Sequence, residues 1–189
     1  MQACAAAVRT TEERHELVSG PESLRALVAA AQRGDRRAFA RLHALHSPAV
    51  HAVLLAHAGP AEAADLAQDV FLQALRKIHT VESPDAVGAW LCALARRRAA
   101  DHHRRARRAS EPPRDVAVRD PRKAEAAEVL DAIRALPAAY CETLLMRLVE
   151  GMTGPEIAAA TGLTPGSVRV NLHRGMKLLR ARLGEEDGR

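Results

Sequence analysis

The chain has 189 residues and a formal net charge of +5, from 28 Lys and Arg against 23 Asp and Glu. That length holds one medium domain or two small ones, and the positive surplus favours a polyanionic partner. Aromatic residues make up only 2% of the chain while Ala, Leu, Arg and Glu dominate, which argues against an all-β fold.

Residues 1–20 form a mixed polar leader that is expected to be disordered, Cys4 and His15 included. From Ser23 the spacing turns helical: Leu24, Leu27, Val28 and Ala31 recur at three and four. Gly34-Asp35 breaks that run before a second segment through Phe39, Leu42 and Leu45, and Ser47-Pro48 is read as the opening of a further helix that ends at Gly59-Pro60. "AEAADLAQDVFLQALRKIH" carries an apolar stripe of Leu66, Val70, Ala74 and Ile78, with Phe71 and Leu75 beside it. Its opposite face holds Glu62, Asp65, Gln68 and Asp69.

After the turn-rich "TVESPDAVG", a long helix begins near Ala89. It starts apolar, with Trp90, Leu91 and Leu94, and ends in a cluster that holds seven Arg and one acid between Arg96 and Arg108. The stretch "ASEPPRDVAVRDPRK" has three Pro and no sustained period, so it reads as a flexible linker. These divisions give a leader 1–20, a helical domain 21–108, a linker 109–124 and a second helical domain 125–184. The expected fold class is all-α: two small helical domains joined by a flexible linker.

The second domain carries "LLMRLVEGMTGPEIAAATGLTPGSVRVNLHRGMKLLRARL". Leu144, Leu145, Leu148 and Val149 are read as an apolar packing stripe. Pro155 suits a first helical turn, and Gly162 sits where a left-handed turn is needed. Ala158, Gly162, Val168 and Leu172 supply the small contact, the turn and the apolar lock of a helix-turn-helix. Thr164 or Ser167 is expected to cap the second helix, whose polar set Ser167, Arg169, Asn171, His173, Arg174 and Lys177 suits base edges and phosphates.

Cys4, Cys92 and Cys141 are odd in number and unpaired in spacing, so neither a disulfide framework nor a thiolate metal site is indicated. Cys92 and Cys141 lie in apolar segments and read as small buried thiols. His43, His46, His51 and His57 cluster, with His102 and His103 further on, but Pro48 interrupts the run and no acidic or thiolate ligand joins it. They read as exposed helical residues. No metal, cofactor or catalytic constellation is expected, and no apolar run approaches a membrane span. No signal peptide is read at the N-terminus, so a reducing cytoplasmic location is expected.

"DLAQDVFLQAL", then "AWLCALARRRAADHHRR", a Pro-rich linker and the helix-turn-helix segment closely resemble the extracytoplasmic-function group of sigma-70-type sigma factors over residues 22 to 183. The resemblance implies a non-enzymatic subunit that directs core RNA polymerase to promoters. Asp65, Gln68 and Asp69 match the helix that docks on the β′ clamp. Arg96, Arg97, Arg98, Arg104 and Arg105 match the minus-ten reader, mainly as phosphate contacts, with Asp101 bracing neighbouring arginines and Trp90 in the core. Thr164, Ser167, Arg169, Asn171, His173, Arg174 and Lys177 match the minus-thirty-five reader. Core polymerase through its β′ clamp and β flap, promoter DNA and an anti-sigma factor are the implied partners.

Three positions depart from the family's pattern: Arg97 and Asn171 replace a common Asn and a common basic residue, and Val87 replaces a common Phe. The loop "HTVESPDAVG" has no aromatic ring on which a flipped base would stack, leaving hydrogen bonds or His79 for that role. The alternative reading is a helix-turn-helix regulator that acts without binding core polymerase. That class brings a sensor or receiver domain of alternating strands and helices, and residues 22 to 108 have no strand pattern.

Overall fold

The computed structural model describes residues 24–109 and 121–184; the leader, with Cys4 and His15, and most of the linker lie outside them. Eight α-helices make up the described residues, with no strand among them. The N-terminal module comprises α1 (Leu24–Gln32), α2 (Arg36–His57), α3 (Pro60–Lys77) and α4 (Val87–Ala109), with 3-10 turns at Ile78–Thr80 and Pro84–Ala86. The C-terminal module comprises α5 (Pro121–Arg134), α6 (Ala138–Leu148), α7 (Gly154–Thr161) and α8 (Pro165–Leu183). The start of α5 at Pro121 moves the helical boundary into the stretch read as linker, with Pro at the position where a missing N–H costs no hydrogen bond.

Helix α2 is the centre of the N-terminal module, packed on α1, α3 and α4. Asp35 caps it, its Oδ1 accepting from the amides of Arg37 at 2.8 Å and Ala38 at 3.2 Å. The expected helix break at Pro48 does not occur; α2 is continuous from Arg36 to His57 with Pro48 inside it. Proline removes one backbone bond of the helix. Here Leu42, His46, Ala49, Val50 and Val53 form one buried stripe across Pro48, and packing on both sides of the proline carries the helix through it.

In the C-terminal module α6 packs under α8, and Gly175 lets the two approach closely. A Cβ there would stand 3.0 Å from Leu144 Cδ1 and 3.3 Å from Tyr140 Cβ. The apolar stripe of α6 is shorter than the sequence indicates. Leu144, Leu145 and Met146 are fully buried, whereas Leu148 and Val149 are about half exposed, at 48% and 51%. They line one side of an open groove of about 400 Å³ whose other wall is Val129, Leu130 and Ile133 of α5.

The two modules are packed against each other rather than held apart. Helix α6 lies on α2, and α7 lies on the first half of α4. The approach at α7 is close because Gly88 has no side chain: a Cβ there would meet the Ala159 carbonyl oxygen and Ala160 Cα, each at 3.0 Å. The Cys92 thiol donates across the same seam to the Ala160 carbonyl at 3.3 Å.

Candidate promoter and polymerase interfaces

On α3, Leu66, Val70, Phe71 and Ala74 are buried, which turns Asp65 and Gln68 to solvent as the helical period requires. Asp69 is partly covered and accepts from Arg98 Nε of α4 at 3.1 Å. Leu75, read beside the apolar stripe, is instead 45% exposed, and Leu72 is 55% exposed. Both continue the Asp65 and Gln68 face by one and two turns. The exposed side of α3 is therefore acidic at one end and apolar at the other.

On α4, Val87, Leu91, Cys92, Leu94, Ala95 and Ala99 are buried, and Trp90 packs against the core as expected. Val87 has no exposed surface, so this position cannot offer a face to a base. Arg97, Arg104 and Arg105 are exposed. Asp101 braces one neighbouring arginine, pairing with Arg104 one turn on. Arg98 is tied to Asp69, and Arg96 to Glu142 of α6, with Nε at 2.8 Å from Oε1 and Nη2 at 2.6 Å from Oε2.

Glu142 is 6% exposed and also meets His57 Nε2 at 2.7 Å. Burial alone would raise its carboxyl, but hydrogen bonds from Arg96 and His57 and their charges outweigh that and hold it at about 2. The same bidentate bond raises Arg96 above its ordinary value. A second contact of this kind joins His51 Nδ1 to Glu150 Oε1 at 2.6 Å. His46 is 7% exposed with a buried Nε2 that lacks a hydrogen-bond partner, and burial pulls it down to about 4. The expectation that these histidines are solvent-exposed is thus corrected for His46, His51 and His57: two meet carboxylates of the other module and one is enclosed by apolar packing. Burial pushes the thiols of Cys92 up to about 12 and Cys141 up to about 11, as for inert core cysteines.

The helix-turn-helix forms as the sequence indicates. Thr153 caps α7 in a reciprocal box with Glu156, a signature not singled out in the sequence although Thr-x-x-Glu is written there. Gly162 closes α7 in the left-handed region at φ 75°, where a Cβ would be strained. Thr164 caps α8, its Oγ1 accepting from the Ser167 amide at 3.1 Å. Val168 is buried and locks α8 down. Ser167, Arg169, His173, Arg174 and Lys177 are exposed and Asn171 is half-buried, so the whole polar set faces outward or lies at the edge of that face.

Two families match in chain order: sigma-70 region 2 over residues 42–109, and sigma-70 region 4 over residues 126–179. The first covers α3, α4 and most of α2; the second covers most of α5, all of α6 and α7, and α8 as far as Leu179. The chain is 32% identical over 161 residues to the RNA polymerase sigma factor CarQ of Myxococcus xanthus, covering 80% of this chain and 92% of that one. The chain belongs to the extracytoplasmic-function group of the sigma-70 family. It is likewise 32% identical over 177 residues to the ECF RNA polymerase sigma factor BldN of Streptomyces coelicolor, covering 86% of this chain but spanning 66% of BldN. The solved structure of CnrH in complex with the cytosolic domain of CnrY superposes with a TM-score of 0.60 at 27% identity, over 86% of this chain and 98% of that one. The sigma factor RpoE in complex with the anti-sigma factor NepR from Bartonella quintana shares the fold at a TM-score of 0.50 and 21% identity, over 77% of this chain and 96% of that one. Membership makes the chain a transcription initiation factor rather than a helix-turn-helix regulator acting apart from the polymerase. No helix among the described residues is long and apolar enough to cross a membrane.

Proposed function

We propose that this sigma factor binds core RNA polymerase in the cytoplasm and reads two promoter elements, one with each module. The observation that carries the reading is the presence of both sigma regions, in order, on one chain whose second module offers an exposed cationic helix. Asp65 and Gln68, with the exposed Leu72 and Leu75 beyond them, make a mixed acidic and apolar face suited to the β′ clamp. Asp69 contributes once Arg98 is drawn to DNA. The groove between α5 and Leu148-Val149 suits an apolar helix, and the β flap is the occupant the family implies.

Arg97, Arg104 and Arg105, joined by Arg96 and Arg98 when their carboxylates release them, neutralise phosphates along the minus-ten element. Thr164 and Ser167 at the N-terminus of α8 meet phosphate through the helix amides. Arg169, Asn171, His173, Arg174 and Lys177 face the major groove of the minus-thirty-five element. Two weak contacts on one tethered chain give the combined affinity, since binding of one module raises the local concentration of the other. An anti-sigma factor is the expected inhibitory partner, in keeping with the complexes in which similar chains were solved. Run-off transcription with purified core polymerase on fragments of the source genome tests the reading. New discrete start sites are expected; duplex binding without any gain in core binding or start sites would overturn it.

A further inference from the structure

We propose that the seam between the two modules is an intramolecular docking surface that holds the free sigma factor closed, with Glu142 as the residue that withholds Arg96 from DNA. The inference rests on the reading of α4 as a DNA-binding helix. It goes beyond that reading by assigning to the C-terminal module a second, inhibitory binding role.

Four features of the seam converge. Glu142 stands alone as an acid within the buried stretch Cys141–Met146, where a side chain serving only the module's core would be apolar. Instead its two oxygens are taken by Arg96 and His57, both from the other module. His51 and Glu150 repeat that polarity farther along α2, cation-capable on the N-terminal module and acid on the C-terminal one. Gly88 allows the backbones of α4 and α7 to approach to within a methyl group's reach, and the Cys92 thiol bonds to the Ala160 carbonyl in the same place.

The chemistry makes this contact reversible. A buried ion pair within one rigid domain cannot part without stranding a charge, which is strongly unfavourable. Here the partners lie on separate modules, so parting returns both to water, and the attraction lost is largely compensated by their hydration. A bidentate carboxylate occupies the same guanidinium edge that a phosphate would use, so Arg96 cannot serve Glu142 and DNA together. The exposed reading face of α8 is untouched by closure. Closure therefore withdraws Arg96 from the minus-ten helix, whose Arg97, Arg104 and Arg105 stay exposed, and leaves the minus-thirty-five helix available, until core polymerase binds the modules apart.

Spin labels at E82C and R180C, both exposed and one in each module, read closure directly by pulsed electron resonance. The full-length protein is expected to give one narrow distance. E142Q and the wedge variant G88A are expected to give a broad, longer distribution with helicity unchanged by circular dichroism. Binding of a fluorescein-labelled mixed-sequence single-stranded 20-mer at low salt is expected to tighten about five-fold in E142Q and G88A, and the gain to vanish in R96A/E142Q. A broad distribution in the unmodified chain, or narrow ones in both variants, overturns the docking surface. Opening without a gain in DNA binding overturns the withholding role of Glu142. Absence of DNA binding by every variant, with opening intact, overturns the proposal through the reading of α4 on which it rests.

Discussion

Helices α4 and α8 are both strongly basic as written, α4 with seven Arg and α8 with four Arg and Lys177, yet the protein treats them in opposite ways. Along α4, Arg96, Arg98 and Arg104 are each answered by a carboxylate, from α6, α3 and α4 itself. Along α8, Arg169, Arg174 and Lys177 face solvent with no ion pair among the described residues. The difference follows from what each helix packs on. Helix α4 lies between α2 and α3 on one side and α7 on another, so its cations meet neighbours, whereas α8 rests on α6 and α7 with its outer face bare. Positive charge on a helix is thus a poor measure of its readiness for DNA.

The contrast is broken most forcefully by removing the support of α8. Leu144 is fully buried beneath Gly175, and L144A is expected to cost about 2–5 kcal/mol of stability, read by chemical denaturation, with loss of duplex binding as α8 loosens. Acid acts next, and on the other module. His46 is held at about 4 in the folded chain and returns toward 6.5 on unfolding, so the unfolded chain binds the extra proton between those values. Stability is full above about 6.5 and is expected to fall as pH drops toward 4, by at most about 1.4 kcal/mol per pH unit. H46L, which also removes the unpaired Nε2, is expected to flatten that dependence in thermal melts; an unchanged slope would assign it to another group.

Smaller effects separate the two helices more finely. T164A removes the cap of α8 and is expected to cost about 1 kcal/mol, with weaker anion binding at that end. R174A is expected to reduce the salt slope of duplex binding by about 0.9 without altering the melting temperature, since its side chain faces solvent. D101A, at the exposed pair with Arg104, is expected to leave stability within about 0.5 kcal/mol while binding single-stranded DNA slightly more tightly, because it frees a cation on α4. Equal behaviour of R174A and D101A in DNA binding would erase the distinction between the two helices.

What could be read from the sequence followed from local chemistry. The stripe of Leu66, Val70, Ala74 and Ile78, a cap at Thr164 or Ser167 and the left-handed Gly162 are each determined within a few residues; the stripe and the glycine form as written, with Leu75 outside the stripe, and Thr164 takes the cap. The uninterrupted α2 was hidden because proline is a local signal, and the packing that overrides it comes from other helices. Period alone puts Leu148 and Val149 in the core, because it cannot say where the neighbouring helix ends. The role of Glu142 depends on Arg96, 46 residues away across the linker, and no periodicity reaches that far. Its one local trace is the single acid in "YCETLLM", an inconsistency in an otherwise apolar stretch that marks a position answering to something outside its own domain.

The thiol of Cys92 gives the seam a clock. It has no exposed surface and points at the Ala160 carbonyl, so an alkylating reagent reaches it only while the modules are parted. Its rate of modification, followed by mass spectrometry of the tryptic peptide, therefore counts opening events in the unlabelled chain. With reagent dilute the rate reports the open population, and with reagent in excess it reports the opening rate itself.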